Sequence, residues 1–515
     1  MASLETISRI GLLIAIWISF KALVIVYRLF FHPLAKFPGP KLAAVTTWYE
    51  GYYDVYLRGQ YEFKIRDLHK EYGPIIRISP NELHIHDPSF FNELYRQEGR
   101  WDKYEFSMQA FALPGAAVFT ADHDIHKRRR TPLNPFLAKP AVNKRMDLIQ
   151  GKMDKFRALL DGYASSQSVL HLGNAYSALT IDIATVFIMG AGFDSLSHPN
   201  FNAGMTRALQ GAGDLWRTSK HITFLGHLMR LVPLKYVAKF ADPDVQAYLG
   251  FMEKQENRTK EIMDNFELEK HKLSDDPPTL VDSILAAPSL PPAEKKLQRV
   301  LNEVSTVTGA GFETTAQAMR KITYHVYADR AVLARLRSEL DALSPTADWN
   351  STQLMQLPYL TAVLKEGLRL APGLASRMER LTDHPITYQG KKSSKSWTIP
   401  ARTAVGMTVL LMHLDEEIFP DPERYRPERW LEGDEEHRRY LEKNFAPFSR
   451  GTRMCLGMHL AWAELYLTLA MITSQFDLEF TGGTGAEDVE WGFDNFTVGV
   501  KGKNGIKVLV KKRQS

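Results

Sequence analysis

The sequence predicts a mainly α-helical domain with small β-sheets, tethered at its N-terminus by one transmembrane helix. Three observations carry that expectation. Residues 10–31 form the most apolar segment of the 515. Apolar residues recur at three- and four-residue intervals through most of 141–273 and again from Val300 to Ile322. Only short stretches alternate in strand fashion. With 44% hydrophobic and 24% charged residues the chain has ample material for a core, and no repeat, low-complexity tract or linker follows Pro38. One domain over 32–515 behind an anchor over 1–31 is therefore expected. The net charge of +5 is mild, and the Lys and Arg residues are scattered without interleaved aromatic platforms, which argues against nucleic acid as a partner.

Taken in order, residues 10–31 are 22 in all and, at about 1.5 Å rise each, long enough to cross a bilayer. Lys21 near the middle costs about 3 kcal/mol, which the several tenths gained from each Leu, Ile, Val and Phe outweigh. The run is long for a cleaved signal, and no small-x-small site follows it. Arg28, His32, Lys36 and Lys41 come after it, whereas Arg9 alone, offset by Glu5, precedes it, so the body is expected on the cytosolic side. Phe37-Pro38-Gly39-Pro40 is a stiff, non-helical joint. Residues 75–79 and 83–86 alternate around Ser79-Pro80-Asn81-Glu82, a hairpin with proline in its turn. Periodicity is lost over 101–119, which reads as a loop. Thr120 or Asp122 then caps a helix that places His126 and Arg130 on one face.

The long helical patterns end in a charged stretch over 253–272, broken at 274–278. Leu290-Pro291-Pro292 precedes a helix marked by Val300, Val304, Val307, Gly311, Ala318 and Ile322. Inside it, Gly309 and Gly311 each cost about 1 kcal/mol relative to alanine, which calls for a close packing partner or a ligand. Further on, Glu366 and Arg369 share a helix face.

Phe448-Ser449-Arg450-Gly451-Thr452-Arg453-Met454-Cys455-Leu456-Gly457 holds the only cysteine of the chain. A lone thiol makes no intramolecular disulfide, zinc site or iron–sulfur site. An inert buried thiol and a working thiolate remain. Glycines on both sides, two upstream arginines and a helix opening just beyond favour the thiolate.

This stretch, Phe-x-x-Gly-x-Arg-x-Cys-x-Gly, resembles the cysteine loop of the cytochrome P450 haem-thiolate monooxygenases, and further motifs of that family follow in its order from Pro38 to near the C-terminus. The resemblance implies the cytochrome P450 fold and haem b, with Cys455 as the iron ligand, Phe448 packed near it and Arg453 at a propionate. It assigns His126 and Arg130, and beyond the next helix Arg377, to the propionates as well. Thr308 to Thr315 resembles the oxygen-groove motif, in which the helix loosens beside Ala310 and Gly311 and the Glu313–Thr314 pair supplies protons; Phe312 is bulky for its position. Glu366 and Arg369, with Arg429 of Pro427-Glu428-Arg429-Trp430, match a structural triad. Residues 101–119 and 493–497 are expected at the substrate. Lys127, Arg128 and Arg129, together with Arg438, Arg439, Lys443 and Arg450, are candidate contacts for a redox partner.

The function implied is insertion of one oxygen atom of O2 into a small apolar substrate, by a single-pass protein of the endoplasmic reticulum membrane. Electrons are expected from an NADPH–cytochrome P450 reductase, because the chain contains no Gly-x-Gly-x-x-Gly fingerprint of its own. The wording of several segments, such as 73–78 and 130–136, looks most like fungal, trichodiene-oxygenase-like members that oxidise terpenoid or polyketide intermediates of secondary metabolism. Three alternatives stay open: an isomerase or dehydratase on the same fold, a haem-binding sensor or electron carrier, and a purely structural membrane protein.

Overall fold

The apolar N-terminal run folds as α1 (Leu4–Val26), which continues as a π turn over Tyr27–Phe31 in the computed structural model of the chain. Residues 4–222, 239, 241–268, 277–343, 349–390 and 395–514 are described. The 24 residues of Ser8–Phe31 are long enough to span a bilayer, and none of the span's most apolar window is buried in the body. Lys21 Nζ lies 5.4 Å from the ring centre of Trp17, a cation–π contact that eases its place in the run. The joint that follows is a fixed bracket. Arg77 donates from its backbone N–H to Pro38 O (2.7 Å) and from Nη1 to Arg28 O (2.8 Å), while Arg28 Nη1 donates to Val45 O (2.5 Å). Gly39 has φ +144°, and a Cβ there would come within 2.4 Å of Arg77 O.

α2 (Tyr61–Tyr72) leads into the expected hairpin of β1 (Ile75–Ser79) and β2 (Glu82–Ile85), antiparallel with Ile75 opposite Ile85. After α3 (His123–Arg130) come α4 (Met146–Ser166), β3 (Val169–His171), α5 (Leu172–Met189), α6 (Ala203–His221) and α7 (Pro243–Leu268). The charged stretch is helical to Leu268; residues 269–276, with most of the expected break, lie outside the described residues. α8 (Leu297–Ala328) is a 32-residue helix, and α9 (Pro358–Leu370) crosses it. The remaining elements are β4 (Ile386–Gln389), β5 (Ser396–Ile399), β6 (Ala404–Gly406), α10 (Met458–Gln475), β7 (Phe476–Phe480), β8 (Trp491–Asn495), β9 (Thr497–Val500) and β10 (Lys507–Lys512). They form small sheets ordered β1-β2-β6, β3-β10-β7, β4-β5 and β8-β9.

α8 runs through the middle of this helical body, against α5 and α7 and also against α9 and α10. α5 is apolar nearly all round and could cross a membrane by composition alone, but 89% of it lies inside the core, as expected of a central helix. A glycine of α9 sets how closely that helix approaches α8, whereas Gly311 of α8 leaves room for ordinary contact with α5. A Cβ on Gly311 would point at Ala184 of α5, 3.7 Å from its Cβ, and one on Gly367 of α9 would lie 2.1 Å from Ile322 Cγ1.

Candidate active site

The cysteine loop turns sharply because Ser449 (φ 58°) and Gly451 (φ 75°) both take left-handed conformations. Only glycine fits at 451, where a Cβ would come within 2.6 Å of Arg96 O and 2.7 Å of Tyr95 O. The Cys455 N–H donates to Phe448 O (2.9 Å), closing the loop three residues ahead of α10. The thiol itself is accessible. Desolvation by the surrounding chain pushes its proton affinity up, while the Gly457 N–H and the Arg130 guanidinium pull it down. Phe448 packs on the main core with its ring 5.9 Å from that of Trp462.

Asp122 caps α3, accepting from the N–H groups of Asp124 and Ile125 (2.9 Å each). That orientation buries His126 and turns Lys127 and Arg128 outward. Arg130 Nη1 donates to Met454 O (2.8 Å), one residue from the cysteine. Arg453 donates to Thr120 O (2.6 Å) and Ala121 O (2.8 Å), and its buried Nε has no acceptor among the described residues. Burial and then the charges of Arg453, Arg380 and Arg130 lower the proton affinity of Lys103, and the cluster also includes His126. Burial first, then Arg380, brings Arg453 down to about 9. Burial, then Arg453 and Lys103, brings His126 down to about 2, so its imidazole is neutral. Glu379, Asp102 and Asp122 offset only part of this charge. Excess positive charge and an unpartnered guanidinium N–H beside an accessible lone thiol match the donor set that haem needs, two propionates and one iron.

Three expected residues are placed elsewhere. Arg377 is not at this cluster: it sits in a carboxylate cage, donating to Glu82 Oε1 (2.6 Å), Glu50 Oε1 (2.7 Å) and Glu62 Oε1 (3.1 Å). Its place among the cations is taken by Arg380. Arg129 is not a free surface cation, because Glu294 grips it through Nε (2.8 Å) and Nη2 (3.0 Å). Arg450 is likewise turned inward, donating to Asn92 Oδ1 (2.5 Å) and to the carbonyls of Glu442 and Phe445. Lys443 stays exposed, Arg439 is exposed but paired with Glu435, and Arg438 donates to Gly433 O (2.5 Å). Sequence reasoning missed Arg380 and Lys103. Arg380 had a signal, an arginine three residues past Arg377, but nothing local chooses between the two; Lys103 had none.

On α8 the expected loosening is absent, and the helix stays regular through 297–328. Small side chains open the groove instead. Ala310 is exposed in mid-helix, whereas Gly311 faces α5. Thr314 Oγ1 donates back to Ala310 O (2.7 Å), and a Cβ on Gly373 would sit 3.7 Å from Thr314 Cβ. Phe312 faces away from the groove, fully buried with Ile181 and Met205. Glu313 is held by Arg320 Nη1 (2.6 Å), Gln210 Nε2 (2.7 Å) and Ser177 Oγ (3.2 Å).

The triad forms behind this site. Glu366 and Arg369 are both fully buried. Glu366 accepts from Arg369 Nη2 (2.8 Å), Arg369 Nε (3.0 Å), Arg429 Nε (3.0 Å) and Trp430 Nε1 (3.0 Å). Arg369 Nη1 donates to His413 O (2.7 Å), and His413 Nε2 accepts from the Ala446 N–H (3.0 Å). The triad thus braces the segment that leads into the cysteine loop.

A family model described as cytochrome P450 matches residues 44–505. A tryptophan 6-hydroxylase of Fusarium equiseti is 35% identical over 98% of this chain and 97% of its own. A cytochrome P450 monooxygenase of Sordaria araneosa is 36% identical over 91% of each chain. A crystal structure of a cytochrome P450 superposes with a TM-score of 0.69 at 20% identity, covering 88% of this chain and 98% of its own.

Proposed function

The chain belongs to the cytochrome P450 family, a haem b monooxygenase, and from that premise we propose that it oxidises a small apolar intermediate, terpenoid or polyketide, of fungal-type secondary metabolism. The observation that supports the site assignment is the accessible lone thiol beside cations that lack enough carboxylates. Cys455 holds the iron, and Arg453, His126, Arg130, Arg380 and Lys103 hold the propionates. Electrons come from a membrane-bound NADPH–cytochrome P450 reductase, to which Lys127, Arg128 and Lys443 offer exposed charge. The apolar helix supports a membrane anchor; its placement in the endoplasmic reticulum with the body facing the cytosol is part of the proposal.

When bound, haem supplies the redox-active iron at which O2 is reduced and split. Arg130 acts twice, drawing the thiol toward thiolate and fixing the loop through Met454 O. Thr314 carries the hydroxyl at the groove, and while it donates to Ala310 O its oxygen remains able to accept a proton donor's hydrogen bond. Glu313 stores the next exchangeable site, held off by Arg320 until it exchanges that partner for a proton.

The test is the spectrum of the purified, dithionite-reduced protein with carbon monoxide. A strongly red-shifted Soret band is expected, lost in Cys455→Ala. A haem spectrum without that band in the parent protein overturns the assignment of Cys455.

A further inference from the structure

Two histidines meet nitrogen to nitrogen inside the body. His69, in the last turn of α2, brings Nε2 within 2.7 Å of Nδ1 of His84 on β2, and both residues are buried. Their other nitrogens are engaged as well. His69 Nδ1 lies 2.8 Å from Gly73 O, and His84 Nε2 lies 3.0 Å from Oγ1 of Thr408, just past β6. That hydroxyl is also 2.5 Å from Oε2 of Glu62, fully buried on α2. Gly73 O, His69, His84, Thr408 and Glu62 thus make one unbroken chain of four hydrogen bonds. Turning either ring over would set carbon where nitrogen now bonds on both sides, so the chain fixes both ring orientations.

Four bonds need four hydrogens. Two neutral imidazoles and one hydroxyl supply three, and the ends of the chain, a carbonyl and a carboxylate, can only accept. The fourth is an added proton with two possible homes. On Glu62, every bond points outward: Glu62 donates to Thr408, Thr408 to His84 Nε2, His84 Nδ1 to His69 Nε2, and His69 Nδ1 to Gly73 O. On an imidazole, Thr408 turns round and donates to a Glu62 carboxylate. The surroundings favour the first. Burial brings His69 down to about 3 and holds His84 well below its ordinary value, with His86 and Arg377 adding to it, and burial raises Glu62. Glu62 Oε1 does accept from the Arg377 N–H (3.3 Å) and Nη1 (3.1 Å), but Glu50 and Glu82 share that guanidinium. Asp494 and Tyr95 face Glu62 and add no positive charge, and Asp415 lies 3.7 Å from His86 at the outer end.

We propose that Glu62, Thr408, His84 and His69 form a one-proton switch, in which Glu62 is a carboxylic acid in the folded protein and gives up its proton through the chain. Each hydrogen then moves one place outward. Glu62 passes its proton to Thr408, Thr408 to His84 Nε2, and His84 Nδ1 to His69 Nε2, while His69 Nδ1 releases its hydrogen to water. Glu62 is left ionised and accepts from Thr408. The bare Nδ1 now faces Gly73 O, lone pair against lone pair, so the bond that fastens the end of α2 is lost.

Infrared spectra of the full-length protein test this as a parent-minus-variant difference against Glu62→Gln, which keeps a donor toward Thr408 and an acceptor toward Arg377. At about pH 7 the parent should show the C=O stretch of one protonated carboxyl group that the variant lacks, and following it with pH gives its midpoint. His84→Phe removes the acceptor of the Thr408 hydroxyl and frees it to donate to Glu62. The midpoint should then fall by about one pH unit or more, a tenfold loss of proton affinity, whereas Thr408→Ser should leave it in place. No protonated carboxyl lost in Glu62→Gln, or a midpoint that His84→Phe does not move, overturns the proposal. Selective 15N labelling of histidine in the parent decides even where His84→Phe fails to fold. Both rings should be neutral and protonated on Nδ1, and an imidazolium or an Nε2-protonated ring at either position overturns the switch.

Discussion

Arg377 and Arg380 are the same residue type three positions apart, yet their surroundings give them opposite work. Arg377 compensates buried carboxylates: against burial, Arg377 and Lys220 hold Glu50 well below its ordinary value, while burial pushes Glu82 up to about 8. Arg377→Leu strands charges in the interior and should cost about 3–5 kcal/mol, read from urea unfolding. Arg380 stands among cations, so Arg380→Leu relieves repulsion in the polypeptide while removing a propionate partner. Its unfolding midpoint should change little, and haem transfer to apomyoglobin should be about tenfold faster, the loss of about one charged hydrogen bond. At the groove, Thr314→Ala should keep haem and its carbon monoxide band but release most reducing equivalents as hydrogen peroxide, measured per NADPH consumed. Tight coupling in that variant removes Thr314 from proton delivery.

At the scale of elements, α8 combines close packing with an open groove by assigning its small residues to different faces. Gly311 faces α5, Ala310 lies open, and Gly367 on α9 admits Ile322. Gly367→Ala should therefore overpack the α8–α9 crossing and cost about 1–3 kcal/mol in thermal or urea unfolding. Ala310→Leu adds bulk where nothing is displaced in the chain, so stability should stay within about 0.5 kcal/mol while turnover falls on the order of tenfold or more through misplacement of the reactants. Comparable losses of stability in both variants would mean that Ala310 is a packing residue.

The whole molecule is tied together by an interior ionic network joining residues 50–54, α2, β2, α6, the 376–380 segment and the β8–β9 hairpin. Lys220 at the end of α6 reaches Glu50 (2.6 Å) and Asp54 (2.5 Å), and Ser376 Oγ donates to Asp494 (2.7 Å). Burial, with Glu62 and Asp54 adding to it, pushes Asp494 up to about 7. An unfolded Asp titrates near 3.9, so between about pH 4 and pH 7 the folded chain binds a proton that the unfolded chain does not. The Asp494 contribution to stability is thus complete below about pH 4 and is lost as pH rises through about 7. Asp494→Asn should flatten that part of the profile, seen as a parent-minus-variant difference in urea midpoint that shrinks toward alkaline pH. A difference independent of pH would mean that Asp494 is ionised throughout.

What the sequence determined by itself was local. An apolar run long enough for a bilayer, the three- and four-residue rhythm of α8 and a proline hairpin are each set by neighbours a few positions apart, and each took its expected helical or strand form. The tertiary structure alone decided the partners of charges. It took Arg377 and not Arg380 into the carboxylate cage, turned Arg129 to Glu294 and Arg450 to Asn92, and gave Glu313 to Arg320. It also turned Gly311 toward α5 and set Phe496 against Phe111. These contacts join residues far apart in the chain, where the energy of a charge or a ring depends on what long-range packing brings beside it and on how far it is removed from water.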